Sequence, residues 1–343
     1  MKRKTWGLLL LAVLFVALAL AWKPLKAIYL SGVPDRLESP FVYIPTGASF
    51  DQVVDSLSQG GFISDPESFR WLAEKMKYKR TTMRPGRFEI EPGWSNRRLI
   101  QHLRAGEQAP VNVVLNNERL PEEVAGCVAG FLEPDSLELL EAMRDPAVLS
   151  ELGRTPENLI AMFIPNTYQM YWNTTPTIFL KRMVKEHDAF WSKSNRLEKA
   201  RALGMTPEEV YTLASIVERE TNTVAEKPAI AGVYLNRLKI GMLLQADPTC
   251  VFATRDFEAR RVTQFHTTFD SPYNTYLYKG LPPGPISMAS ISSIDAVLNP
   301  QKHDYLYFCA KPDESGTHQF AASYSAHLVN ARRFQNWLEQ RGY

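Results

Sequence analysis

Behind Met1-Lys2-Arg3-Lys4 the chain opens with an uncharged apolar run from Trp6 to Trp22, about 17 residues, close to the shortest helix that spans a bilayer. Trp6 and Trp22 bracket the run where indole rings favour the headgroup layer, and the basic residues ahead of it predict that this end stays in the cytoplasm. Ala19-Leu20-Ala21 also matches a small-x-small cleavage site. The run is long for a signal-peptide core and Lys23-Pro24 follows at once, so an uncleaved, single-pass anchor over 1–26 is expected, with the rest outside the cytoplasmic membrane.

Beyond the anchor the apolar period changes repeatedly. Phe41–Ile44 and Arg87–Ile90 read as strands; Ser49 with Gln52 forms a capping box ahead of Val53, Val54 and Leu57. Phe69, Leu72 and Met76 mark a second helix, and Ser95–Leu103 a third that Gly106 ends. Strand, helix, helix, strand over residues 27–108 predicts a small α+β module with no carboxylate pair, phosphate loop or His cluster, and so a binding or spacer role. From 109 to 343 a larger α+β region follows. Val111–Leu115 alternates as a strand, and helices are expected around Leu137–Met143 and Ile178–Phe190. The best-specified helix runs from Thr206 to about Thr221: Thr206 caps it, Pro207 suits its first turn, Glu209 completes a capping box, and Val210, Leu213, Ala214 and Val217 form its buried stripe. Ala225–Lys239 is helical and stops at Gly241; Asp270–Pro285 is loop; Tyr305–Ala310 is a strand; Tyr324–Arg341 is a final helix.

Composition narrows function only slightly. A net charge of +2 over 343 residues offers no basic patch of the kind nucleic acid demands. Cys127, Cys250 and Cys309 lack CxxC spacing, and His266, His303, His318 and His327 lack metal-ligand spacing, so neither a disulfide framework nor a metal or organic cofactor is implied.

Candidate chemistry concentrates on the Thr206–Thr221 helix. At about 100° per residue, Glu218 and Glu220 fall on opposite borders of the apolar stripe, beside Tyr211 and Leu213 respectively, while Arg219 points away from the core. A border carboxylate can be partly desolvated yet reachable, as a general acid must be. Spacing alone favours neither glutamate.

Leu213-Ala214-Ser215-Ile216-Val217-Glu218-Arg219-Glu220-Thr221 resembles the signature of the MltG, or YceG-like, family of endolytic murein transglycosylases. The likeness continues through Asn236-Arg237-Leu238, Gly241–Thr249, Ser271-Pro272-Tyr273-Asn274-Thr275-Tyr276 and Gly280–Ile286, with Pro165–Tyr168 upstream and Tyr305–Phe308 downstream. The resemblance implies that Glu218 is catalytic, with a raised pKa. Asn236, Gln245, Asn274 and Tyr276 are candidate substrate-contact residues, since amide and phenol groups hydrogen-bond hydroxyl and N-acetyl groups, with satisfaction of loops and turns the alternative for each; the resemblance makes residues 27–108 a linker and LysM-like subdomain. It further implies cleavage of the β-1,4 bond between N-acetylmuramic acid and N-acetylglucosamine to leave 1,6-anhydro ends, terminating strand elongation, with peptidoglycan synthases as partners. Asp247 and Asp270 would be second carboxylates if the reaction were plain hydrolysis. Ser287-Met288-Ala289-Ser290 stands where the family usually has an Asn-Pro-Gly stretch, and Ala326-His327 where Glu-His is common. The competing expectations are a non-catalytic, membrane-anchored peptidoglycan-binding scaffold and a cytoplasmic small-molecule lyase; the anchor and the lack of a Schiff-base lysine motif speak against the latter.

Overall fold

The computed structural model describes Phe15, Trp22 and residues 28–341. The anchor expected over 1–26 therefore lies outside the described residues, apart from those two. Among the described residues no helix is long and apolar enough to cross a membrane. The protein is mixed α+β, and it divides into two compact units: residues up to Val113 with Phe131–Pro134 and Gln169–Thr174, and Val114–Gly130 with Asp135–Tyr168 and Thr175 onward.

In the first unit β1 (Phe41–Ile44), α1 (Phe50–Gln59), α2 (Pro66–Lys75), β2 (Gly86–Glu89) and α3 (Asn96–Ala105) follow the order the pattern predicts. The strands pair antiparallel with Phe41 opposite Glu89 and Ile44 opposite Gly86. Val42, Ile44 and Phe88 thus enter one core with Phe50, Val53 and Leu99. The helix ends obey local rules: Ser49 and Gln52 close a reciprocal capping box, and Gly106 takes a left-handed φ of 75° that an L side chain would resist.

The remaining elements are β3 (Val111–Leu115), α4 (Pro121–Ala129), α5 (Ser136–Arg144), α6 (Pro146–Glu151), β4 (Asn166–Met170), α7 (Pro176–Ser192), α8 (Arg196–Ala202), α9 (Pro207–Glu220), α10 (Lys227–Lys239), α11 (Asp247–Thr254), α12 (Gln264–Thr268), α13 (Ile291–Leu298), β5 (Tyr307–Ala310), β6 (His318–Ala321) and α14 (Tyr324–Glu339). The second unit is built around α9. Val210, Leu213, Ala214 and Val217 are fully buried, as their spacing requires, together with Tyr211 and Ile216. Helices α10 and α13 pack against α9 and against each other, and Ile230, Tyr234, Ile294 and Val297 complete that core. Strand β5 pairs antiparallel with β6, Tyr307 opposite Ala321.

Candidate active site

The two glutamates at the end of α9 have opposite fates. Glu218 turns inward. Its Oε2 accepts from the Lys227 Nζ at 2.9 Å, from the Ser290 and Ser293 hydroxyls at 2.5 Å each, and from the Ser290 backbone N–H at 3.3 Å. The Lys227 side chain is only 5% exposed and that of Glu218 12%, so this is an internal ion pair. Lys227 is further engaged by Ser290 and Ser292, both at 3.1 Å. Ser290 also caps α13, its hydroxyl accepting from the Ser293 N–H at 3.3 Å. Burial alone would raise the Glu218 pKa, but the Ser290, Ser293 and Lys227 hydrogen bonds and the Lys227 charge outweigh it and hold the carboxyl below its ordinary value. The raised pKa expected for Glu218 is thereby corrected: a desolvated carboxylate with this many donors stays ionised. Ser290 supplies two of those donors, its hydroxyl and its backbone N–H.

Glu220 is half-buried and lines cavity walls. It lies where two cavities meet, and Asp247 lines both with it. One, of about 300 Å³, is also lined by Gln245, Tyr276, Tyr234 and Arg237. The other, about 250 Å³, is lined by Phe252, Phe257, Arg119 and Arg219. Close packing of protein pushes the Glu220 carboxyl up to about 7; the Tyr234 hydroxyl, donating to Oε1 at 2.5 Å, pulls it down, the charge of Asp247 pushes it up, and Arg237 opposes that. A carboxyl that still carries its proton near neutrality, at a place a ligand can reach, has the state a general acid needs.

The other sequence candidates separate just as sharply. Gln245, at a left-handed φ of 46°, and Tyr276 line the cavity beside Glu220. The Tyr276 hydroxyl donates to Asp247. Asn274 does not contact this space. It is fully buried, and its Nδ2 donates to the His266, Thr267 and Phe269 carbonyls at 3.1, 3.2 and 2.8 Å. Its substrate-contact role is corrected to that of a loop clasp, because an amide with all its donors spent on backbone has none for a sugar. Asn274→Ala is expected to cost about 1–3 kcal/mol by leaving buried carbonyls unpaired, read as a lowered midpoint in thermal denaturation. Asn236 is likewise committed: its Nδ2 donates to the His303 carbonyl at 2.8 Å and that of Tyr305 at 3.1 Å. It borders a separate cavity with Leu203 and Met205, away from Glu220 and Asp247. Asp270 is exposed and accepts from Tyr278 at 2.6 Å, and it lines neither cavity at Glu220.

Some residues of the site carried no sequence signal for it. Tyr234 fits the pattern of an ordinary packed helix, and Arg119 precedes a helix that the sequence did not mark. His327, read as structural, lines the cavity from α14, stacked on Tyr307 at 5.3 Å between ring centres. Among the described residues no group of three or more His, Cys, Asp or Glu side chains could hold a metal ion.

A helix-borne glutamate and a neighbouring aspartate that line the same two cavities have the composition of an acid–base site. The chain belongs to the YceG-like family, whose model matches residues 42–333. Among its relatives are proteins named endolytic murein transglycosylase. That of Bacillus subtilis is 28% identical over 287 residues, spanning 79% of this chain and 78% of the relative. That of Streptococcus pneumoniae strain D39 is 27% identical over 304 residues, spanning 80% of this chain but 54% of the relative, so this chain accounts for about half of that protein. The crystal structure of a YceG-like protein from Listeria monocytogenes superposes with a TM-score of 0.57 at 25% identity, covering 84% of this chain and 97% of that one.

Proposed function

We propose that this protein is an endolytic murein transglycosylase that uses Glu220, in place of Glu218, as its general acid and then its base. The observation that carries the reading is Glu220 lining two adjoining cavities together with Asp247, with burial pushing its carboxyl up to about 7. The activity named for the relatives supports the substrate class.

Glu220 donates its proton to the glycosidic oxygen between N-acetylmuramic acid and N-acetylglucosamine as the bond from the muramyl C1 breaks. The departing sugar leaves as a free 4-hydroxyl. Glu220, now a carboxylate, takes the proton of the muramyl C6 hydroxyl, whose oxygen bonds to C1 and closes the 1,6-anhydro ring. One carboxyl thus serves both steps, and no water is consumed. Tyr234 fixes the Glu220 carboxyl through its hydrogen bond; Gln245 and Tyr276 offer amide and hydroxyl groups to the sugar; burial first, and Asp247 second, favour the protonated acid, and Asp247 faces the oxocarbenium character at C1. Residues 1–26 anchor the enzyme with its N-terminus in the cytoplasm and its catalytic unit outside, residues 27–108 act as a LysM-like glycan contact, and cleavage near peptidoglycan synthases ends strand elongation.

Mass spectrometry of peptidoglycan fragments after digestion tests the reaction. Internal fragments with anhydromuramyl ends are expected, and reducing muramyl ends would point to hydrolysis through Asp247. No cleavage with glycan still bound would leave a scaffold. The pH profile tests the acid. Because Glu220 acts when protonated and titrates at about 7, kcat/KM is expected to fall as pH rises through that value, roughly tenfold per unit beyond it. A profile already falling near the ordinary glutamate pKa of about 4.3 would exclude Glu220.

A further inference from the structure

The cavity of about 250 Å³ on the Phe252 side of Glu220 holds two arginines that form no ion pair among the described residues. Arg119 lays its guanidinium over the Phe257 ring at 4.6 Å and forms no ion pair among the described residues. Arg219 donates from Nη2 to the Asn117 carbonyl at 2.6 Å, while its Nε is buried without a partner. The two lie close enough that Arg119, after burial, is the next cause that depresses the Arg219 pKa.

Like charges gathered in a partly dry cavity raise the energy of the empty site, and a buried guanidinium N–H without an acceptor raises it further. The carboxylates around them, Glu218, Glu123 and Glu118 acting on Arg219 from a distance, form no ion pair with either arginine among the described residues. Glu118 accepts from the Asn116 N–H at 3.1 Å and Glu123 from the Arg119 backbone N–H at 2.6 Å; Glu218 is held by Lys227, Glu220 by Tyr234, and Asp247 by Tyr276. Both arginines line the cavity, and planar guanidinium suits a carboxylate better than any neutral group. In murein the sugars are uncharged, since the lactyl carboxyl of the muramyl residue is amide-linked to its peptide. The anions near a scissile bond are the carboxylates of that stem. Phe252, Phe257 and Val251, which line the same cavity, suit the aliphatic side chains of such a peptide.

We propose that Arg119 and Arg219 form a subsite for a carboxylate of the peptide stem beside the bond being cut, so that the enzyme prefers stem-bearing strands to bare glycan. This rests on the transglycosylase reading above. The test uses the full-length enzyme on purified glycan strands with stems intact and on the same strands after amidase has removed them. Fragment release gives kcat/KM on each, and the ratio of the two is the readout.

For the wild type the ratio is expected to be about ten or more, the factor that roughly one charge-assisted contact supplies. Arg119→Gln should bring it close to one, and Arg119→Lys, which keeps the charge without the paired donors, should fall between. A wild-type ratio near one, or an Arg119→Gln ratio equal to the wild type's, overturns the subsite and leaves the transglycosylase reading standing. Failure of the wild type to cut either substrate overturns both. The wild-type ratio decides the matter even if the variants fold poorly.

Discussion

Glu220→Gln is expected to lower kcat for release of anhydromuramyl ends by about 10³-fold, the middle of the range for loss of a positioned general acid. The amide is close in size to the carboxyl and can still take the Tyr234 hydrogen bond, so the fold and the thermal midpoint should hold while proton transfer is lost. Glu218→Gln is the informative contrast. It should cost stability, because Lys227 loses its counter-charge, and should lower kcat far less, because Glu218 lines neither cavity. Parallel single-turnover kinetics and melting curves on the two variants decide the assignment. An inactive, fully stable Glu218→Gln beside an active Glu220→Gln would return the acid role to Glu218.

The second large effect is on stability. Lys227→Met is expected to destabilise the second unit by about 3–5 kcal/mol, the usual penalty for stranding one member of a buried pair. A fall in the melting midpoint of roughly 10 °C follows for a unit of this size. The physical reason is that Glu218 would keep the Ser290 and Ser293 donors but lose the cation that stands 2.9 Å away. The double variant Lys227→Met with Glu218→Leu should recover much of the loss, since two apolar groups of similar volume need no counter-charge. The pair also carries a pH signature of definite sign. The folded-state pKa of Glu218 is depressed. Its contribution is therefore complete above the unfolded value of about 4.3 and is lost as pH falls through the lower folded value. Urea titrations across the acid range, wild type against Lys227→Met, measure it. Equal slopes in the two proteins would mean that the pair contributes nothing.

Both expectations turn on a distinction of two residues along one helix. The start and stop of α9 were legible because caps are local: Thr206, Pro207 and Glu209 set the first turn, and the apolar stripe from Val210 to Val217 required a buried face. The same locality made β1, α1 and the Gly106 stop readable. Helices α11 and α13 were not, since Asp247-Pro248-Thr249 and Ser290–Ser293 look like turn chemistry until neighbours bury Thr249, Cys250, Ile294 and Val297.

The sequence alone determined that a helix ends with two carboxylates on the borders of its buried face, inside a set of blocks typical of one family. Only the tertiary structure placed one of these carboxylates in an internal ion pair and the other along two cavities. Lys227 and Ser290 come from α10 and the cap of α13, 9 and 72 positions from Glu218, and they close over that carboxylate. Tyr234 and Asp247 shape the opposite border and leave Glu220 open to the cavities. The same holds for Asn274, whose amide reads as a sugar contact in sequence and is spent on three backbone carbonyls in the fold. A residue's spacing fixes the direction of its side chain from the helix axis, but its protonation and its access depend on groups that other elements bring to it.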